Sequence, residues 1–401
     1  MKRFIIFTLI AALLAGTWSA YAATKAEPAP LAQKETNSSS KTPGMAAATA
    51  LSTITGVAIS PLLGVSAVGA YTYFQTPKEN RGSLSWYAQP WFWMSAFVLV
   101  GLCFAKDTAG TALPSVLKKP LDIADAVENK ISGLVAVGAF VPMVASVFPS
   151  LISSDHANIA APWFMAVINP AGLLNFILVP IAMVSFVIVW LAAHSINILI
   201  LLSPFTTVDA ALKSFRLFLL SFITGGSLMD PMLGAGISLI IIFIAYFIAG
   251  WSFRVTALGS IYIWDALSLR RTRTKPQTNE VWGFLYSEIS KVPIRTYGKL
   301  VKDAAGRMVF HYRPWMILPE KTLVLPVGEY AVGEGLINSY IVKTSGEDEY
   351  EVVTLPPRYR SHEQAVANAY ELAGVREIGF MKGFNAFIRA LFGGSSEPAR
   401  V

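Results

Sequence analysis

The side chains with the most chemical potential in this chain stand inside apolar sequence. His194 lies in the run Leu191-Ala-Ala-His-Ser-Ile-Asn197, with aliphatic residues on either side. On a helix Trp190 is one turn before it, and Asn197 is three residues further along the same face. An ionisable group at membrane depth costs several kcal/mol unless it is paired, so His194 and Asn197 are candidates for proton relay or headgroup binding. The other reading of His194 is a hydrogen bond to a neighbouring helix or a place at the interface. Asn169 and Asn175 flank a break at Pro170, where freed backbone groups line a cavity or are satisfied by those same side chains. A second set is Lys213, Arg216, Thr224 and Asp230, ahead of a long aliphatic run. Charges of both signs near a membrane can hold a phosphate headgroup or form a counterion network. Asp230 before Pro231 equally fits a helix N-cap. A third set is Pro356-Pro-Arg-Tyr-Arg360, where Arg358 and Arg360 flank an aromatic ahead of a helix start. Such a loop either binds an anion or is purely structural.

Other chemistries find no support. The single cysteine, Cys103, sits in an apolar run, and no Cys/His spacing fits zinc, so no metal is expected. Neither a nucleophile elbow nor a His-x-Glu pair occurs in the membrane half, and the C-terminal part has no nucleotide loop. The expectation is therefore no cofactor and no enzymatic activity. The net charge of +7 owes much to Arg270, Arg271, Arg273 and Lys275, directly after an apolar run. That placement marks a cytoplasmic flank rather than a nucleic-acid surface.

The elements that must position these residues divide by composition. Hydrophobic residues are 54% of the chain and charged ones 14%, against roughly 25% charged in an ordinary soluble domain. The charge deficit is confined to Gly44–Leu269. Residues 1–22 read as a signal peptide, with Lys2 and Arg3, an apolar core and Ala20-Tyr21-Ala22 as the cleavage site. Residues 23–43 read as a disordered periplasmic linker. Residues 44–269 are expected to form an α-helical membrane bundle of about five spans. These are Met45–Phe74, Trp86–Ala105, Ile131–Leu151, Trp163–Phe205 with breaks at Pro170 and Pro180, and Met232–Phe253. Pro114–Lys130 and Val208–Phe222 read as interfacial helices, the latter with Leu212, Phe215, Leu219 and Phe222 as its apolar stripe. Lys106, Lys118, Lys119 and Lys130 would then lie outside, against the positive-inside rule, which leaves room for re-entrant segments.

Residues 276–375 change to short alternating runs. Strands are expected at Thr296–Val301, Arg307–Tyr312, Thr322–Pro326, Gly335–Lys343 and Glu349–Leu355. A helix is expected at His362–Leu372, with Ser361 before it and Gly374 after it. Residues 376–401 complete the chain with an amphipathic segment and tail. The expectation is an α+β cytoplasmic domain, a small barrel or sandwich closed by a helix.

Two resemblances follow from these motifs. Lys213-x-x-Arg216, Thr224-Gly-Gly and Asp230-Pro231, with Leu121-Asp-Ile-Ala-Asp-Ala upstream, resemble a family of uncharacterised bacterial multi-pass membrane proteins over about Ala50–Phe253. The order of strands and helix in the C-terminal domain is similar to pleckstrin-homology-like barrels. Together they imply a bacterial inner-membrane protein with its C-terminus in the cytoplasm. The expected function is a scaffold or lipid-associated protein presenting a cytoplasmic binding domain. The alternative is a transporter or channel for a small solute or lipid through a polar cavity. The expected partners are the bilayer, its anionic headgroups and a protein on the cytoplasmic domain.

Overall fold

The fold is seen in a computed structural model, which describes residues 43–110, 128–140, 170–203, 205–335, 338–345 and 348–377. The signal peptide, nearly all of the linker, Asn169, the side chain of Asn175, nearly all of the Pro114–Lys130 helix, the expected third span beyond residue 140 and the amphipathic tail beyond residue 377 lie outside the described residues. The chain forms two compact units. The first takes in the described residues of Met1–Lys118, Glu128–His194 and Thr206–Phe247. The second holds Ser195–Phe205 and Ile248–Val401.

The expected bundle of about five spans is not what the chain forms. Among the described residues, two helices are long and apolar enough to cross a membrane, Pro180–Leu202 and Pro231–Leu267. The expected first span, Met45–Phe74, is cut by Pro61 into helices at Pro43–Ile59 and Pro61–Gln75, since proline has no N–H for the helical ladder. The expected second span opens with a 3₁₀ turn at Trp86–Ala88 and continues as a helix over Pro90–Gly110, of which Pro90–Cys103 is apolar. In the fourth, Pro180 stands inside a continuous helix, Pro170–Leu202, rather than ending it.

The first unit turns its polarity inward. Its core combines Ile54, Val57, Val65, Tyr87, Phe140, Phe186 and Ile223. In the helix Thr206–Met229, Asp209 is 3% exposed, whereas Phe215, Phe218 and Phe222 are each more than half exposed. The expected stripe is thus divided. Leu212 and Leu219 are half-buried beside Lys213 and Arg216, and the phenylalanines point out. A helix that shelters its charges and exposes its aromatics is at odds with water as its solvent.

In the second unit the sheet strands are β1 Trp282–Leu285, β2 Tyr297–Lys302, β3 Met308–Tyr312, β4 Lys321–Val324, β5 Glu329–Glu334, β6 Ser339–Ser345, β7 Asp348–Leu355 and β8 Val375–Glu377. Their order is β4-β3-β2-β1-β7-β6-β5-β8. Every pairing is antiparallel except β5 with β8. The ends β4 and β8 do not meet, so the sheet is open, and the expected barrel or sandwich is corrected. The Glu363–Ala369 helix does cover the sheet, packing Val366 and Ala367, with Tyr370 just after it, into a core with Leu300, Phe310, Ile341 and Val353. The Tyr370 hydroxyl donates to the Leu300 carbonyl at 2.7 Å and accepts from the Val281 N–H at 3.3 Å. Burial pushes that phenol up to about 12. Asp303 closes the β2–β3 turn by accepting from the Ala305 and Arg307 N–H groups, and Gly306 takes a left-handed φ of 76°.

The second unit also contains a close helix approach. A Cβ at Gly259 would stand 2.4 Å from Ile198 Cδ1, so these helices meet where glycine leaves room. Gly259→Ala should lower the thermal midpoint of the detergent-solubilised protein, and adding Ile198→Ala should recover part of the loss. If Gly259→Ala unfolds with the wild type, this contact does not hold the helices.

Candidate functional site

Two buried polar side chains, His194 and Asn129, belong to the first unit, where half-buried Trp190 lies beside the imidazole. The His194 imidazole is 0% exposed and stacks on Trp190, with ring centroids 5.2 Å apart and planes 4° from parallel. Among the described residues, neither imidazole nitrogen has a hydrogen-bond partner, nor does Trp190 Nε1, nor either side-chain polar atom of Asn129, which is 2% exposed. Leaving such groups unmatched costs about 1–3 kcal/mol each. Gly133 permits the arrangement, since a Cβ there would lie 2.5 Å from Trp190 Nε1. The charges acting on the imidazole are Lys130 and Arg216. Arg216 donates from Nε to the Ile59 carbonyl at 3.2 Å, satisfying a carbonyl at the end of the Pro43–Ile59 helix.

The second unit is organised by a seam along the end of the Pro231–Leu267 helix. Trp251, Arg254, Leu258, Tyr262 and Asp265 recur at three- and four-residue steps, which puts them on one face. Asp265 is 2% exposed, and its Oδ2 lies 3.1 Å from Arg358 Nε. Arg270 Nη1 stands 3.8 Å from its other oxygen. Arg358 also donates to the Tyr297 hydroxyl at 3.3 Å. Burial raises the Tyr297 and Tyr359 phenols, while the Arg358 cation opposes the rise. Further along, Tyr262 donates to Asn338 Oδ1 at 2.8 Å, and its ring is 6.4 Å from that of Phe284. Arg254 donates to the Ile294 carbonyl at 2.9 Å. The next residue, Arg295, is held at φ 59° with its guanidinium 5.8 Å from the Trp251 ring centroid. Burial first, and then the Arg254 charge, lower Arg295 to about 10, which leaves it cationic at neutral pH. Phe253 meets Trp315 of the β3–β4 loop at 4.9 Å between centroids.

These arrangements place the residues singled out in the sequence. His194 belongs to the buried cluster, with Arg216 acting on it. Asn197 is buried at 8%, but on the part of its helix that belongs to the second unit. Lys213 is half-buried in the first unit. Thr224 is exposed and donates to the Leu220 carbonyl one turn back. Asp230 is exposed and accepts the Met232 N–H at 2.8 Å, as a helix N-cap does. Arg358 already holds an anion, the chain's own Asp265, so an external ligand would have to compete with that carboxylate. Arg360 is half-buried, and its carbonyl accepts from Arg271 Nε at 3.1 Å. Sequence reasoning ended the last span at Phe253 and so missed Asp265, Arg295 and Tyr262. The available signal was the three-and-four periodicity continuing beyond Arg254.

No family model, no curated protein and no solved structure matches this chain. The resemblances to the multi-pass family and to pleckstrin-homology-like domains therefore rest on the residues and element order that suggested them.

The seam makes a measurable claim. Arg358→Met leaves Asp265 buried without its closest cation, and breaking a buried ion pair from one side costs about 3–5 kcal/mol. The variant should unfold at markedly lower temperature, and Asp265→Leu combined with it should recover much of the loss. Equal melting of wild type and Arg358→Met would refute the claim.

Proposed function

We propose that this protein is a membrane-anchored scaffold of the bacterial inner membrane that presents its sheet domain to a binding partner on the cytoplasmic side. The observation carrying this reading is the seam. Asp265–Arg358, Tyr262–Asn338 and Arg254 to the Ile294 carbonyl join the end of a helix apolar enough to cross a membrane to the sheet. A flexible tether would suffice to localise a domain. Three polar contacts and the tilted Phe253–Trp315 ring contact instead fix its orientation, which suits a surface whose partner must approach from one direction. The arginines after the helix support the cytoplasmic side, since positive residues flank spans there.

Two experiments test this. A cysteine at exposed Glu329 in a Cys103→Ala background should react with a membrane-impermeant maleimide only after the inner membrane is opened. Labelling in intact spheroplasts would place the sheet on the other side. Second, a chain ending at Lys275 should still insert but lose the proteins that cross-link to the full chain in cells. The same cross-linked set from both chains would sink the scaffold reading.

The polar cluster around His194 supports a second reading, a transporter or channel for a small solute or lipid. Flux through liposomes containing the purified protein should then fall sharply with His194→Ala, since the variant removes two of the unmatched polar atoms. Unchanged flux counts against it.

A further inference from the structure

The β3–β4 connection is a loop of unusual composition for a soluble domain. It reads Arg313-Pro-Trp-Met-Ile-Leu-Pro-Glu320, an apolar run enclosed by prolines and then by charges. Instead of folding under the sheet, it turns its side chains out. Ile317 is 86% exposed, and Trp315, Met316 and Leu318 are each exposed by more than two-fifths. Trp315 and Met316 both take left-handed backbone conformations, with φ of 56° and 59°. Non-glycine residues hold such conformations only when their surroundings enforce them. The base of the loop is tied, because Glu320 receives His311 Nδ1 at 3.0 Å and Arg313 Nε at 3.6 Å. The His311 hydrogen bond, and to a lesser degree the Arg313 guanidinium, hold the Glu320 carboxyl below the usual range.

Its position along the long helix gives the loop meaning. Trp315 lies against Phe253, and its Cζ2 is 3.9 Å from where a Cβ on Gly250 would be. A 37-residue helix is about 55 Å long, and the hydrocarbon core is about 30 Å thick. From Pro231, the about 20 residues of a span end at Gly250. Arg254, Tyr262 and Asp265 follow, all engaged with the sheet. The loop therefore meets the helix where hydrocarbon gives way to headgroups, the depth that tryptophan favours.

We propose that Trp315–Leu318 inserts into the bilayer interface as a second membrane contact of the sheet domain, with phospholipid as its partner. Met316, Ile317 and Leu318 enter the outer acyl region, and Trp315 sits at headgroup level. Arg313, whose side chain is 62% exposed, and exposed Lys321 stand at the two ends of the loop, where anionic phosphates would meet them. This inference rests on the reading that the Pro231–Leu267 helix crosses the membrane.

The test places an environment-sensitive fluorophore at single cysteines in the full chain, in the Cys103→Ala background, reconstituted in phosphatidylglycerol/phosphatidylethanolamine liposomes. The sites are Ile317, Glu329 as an exposed reference on the sheet, and Ile240, 62% exposed on the long helix. The expected result at Ile317 is a blue-shifted emission, protection from aqueous iodide and strong quenching by lipids with the quencher high on the acyl chain. Glu329 should look like water, and Ile240 should be quenched best by a deep quencher. A water-like Ile317 with a deep Ile240 overturns the loop proposal alone. A water-like Ile240 overturns the spanning helix on which it rests. An Ile317 shielded from both iodide and lipid quenchers means that protein covers the loop, which also overturns the proposal.

Discussion

A carboxylate at the end of an apolar helix is the constraint on which the second unit depends. Asp265 is almost wholly buried, and a buried carboxylate with no cation beside it would be strongly destabilising. Arg358 meets that need, but only because Pro356 and Pro357 shape the turn that brings it there, with Arg271 holding the same turn through the Arg360 carbonyl. Tyr297 and Tyr359 complete the surroundings of the guanidinium. The start of strand β2, the turn before the Glu363–Ala369 helix and the end of the long helix are thereby committed to one arrangement. Specificity of register, more than net stability, is what such an ion pair contributes, because an apolar replacement of equal volume is often as stable.

The two units solve opposite solvent problems. In the sheet, apolar side chains such as Leu300, Phe310 and Val353 are enclosed, while Lys299, Lys302 and Lys343 are half-buried and Lys321 is exposed. In the first unit Asp209, Asn129 and His194 are enclosed, while Phe215, Phe218 and Phe222 are exposed. Hydrophobic burial cannot drive that packing if the surroundings are themselves apolar, so close approach of small residues and polar contacts must do more of the work. Gly133 beneath the Trp190 indole and Arg216 on the Ile59 carbonyl are two such contacts.

The sequence was informative where periodicity and composition act locally. Strands β2, β3, β4 and β7 are legible from alternation, and the Asp303–Gly306 turn from its residue types. Strands β1, β5 and β8 are not, since Gly283 in β1 and Gly333 in β5 dilute the strand signal and β8 has only three residues. The count of spans failed for a physical reason. Hydropathy reads composition, whereas Pro61 acts on the backbone and cuts one apolar run into two shorter helices. His194 was legible because a single imidazole among aliphatics is conspicuous. Asp265 was not, because its partner lies 93 positions later and no local pattern links them.

Among the described residues the open sheet ends in short strands, four residues in β4 and three in β8. Unpaired strand edges invite another chain to add itself. At this length an edge offers only a few backbone groups, too few for a stable ladder between neighbours. Crowded copies of this protein would therefore be kept from zipping together along the β4 edge by its brevity, without any need to close the sheet into a ring.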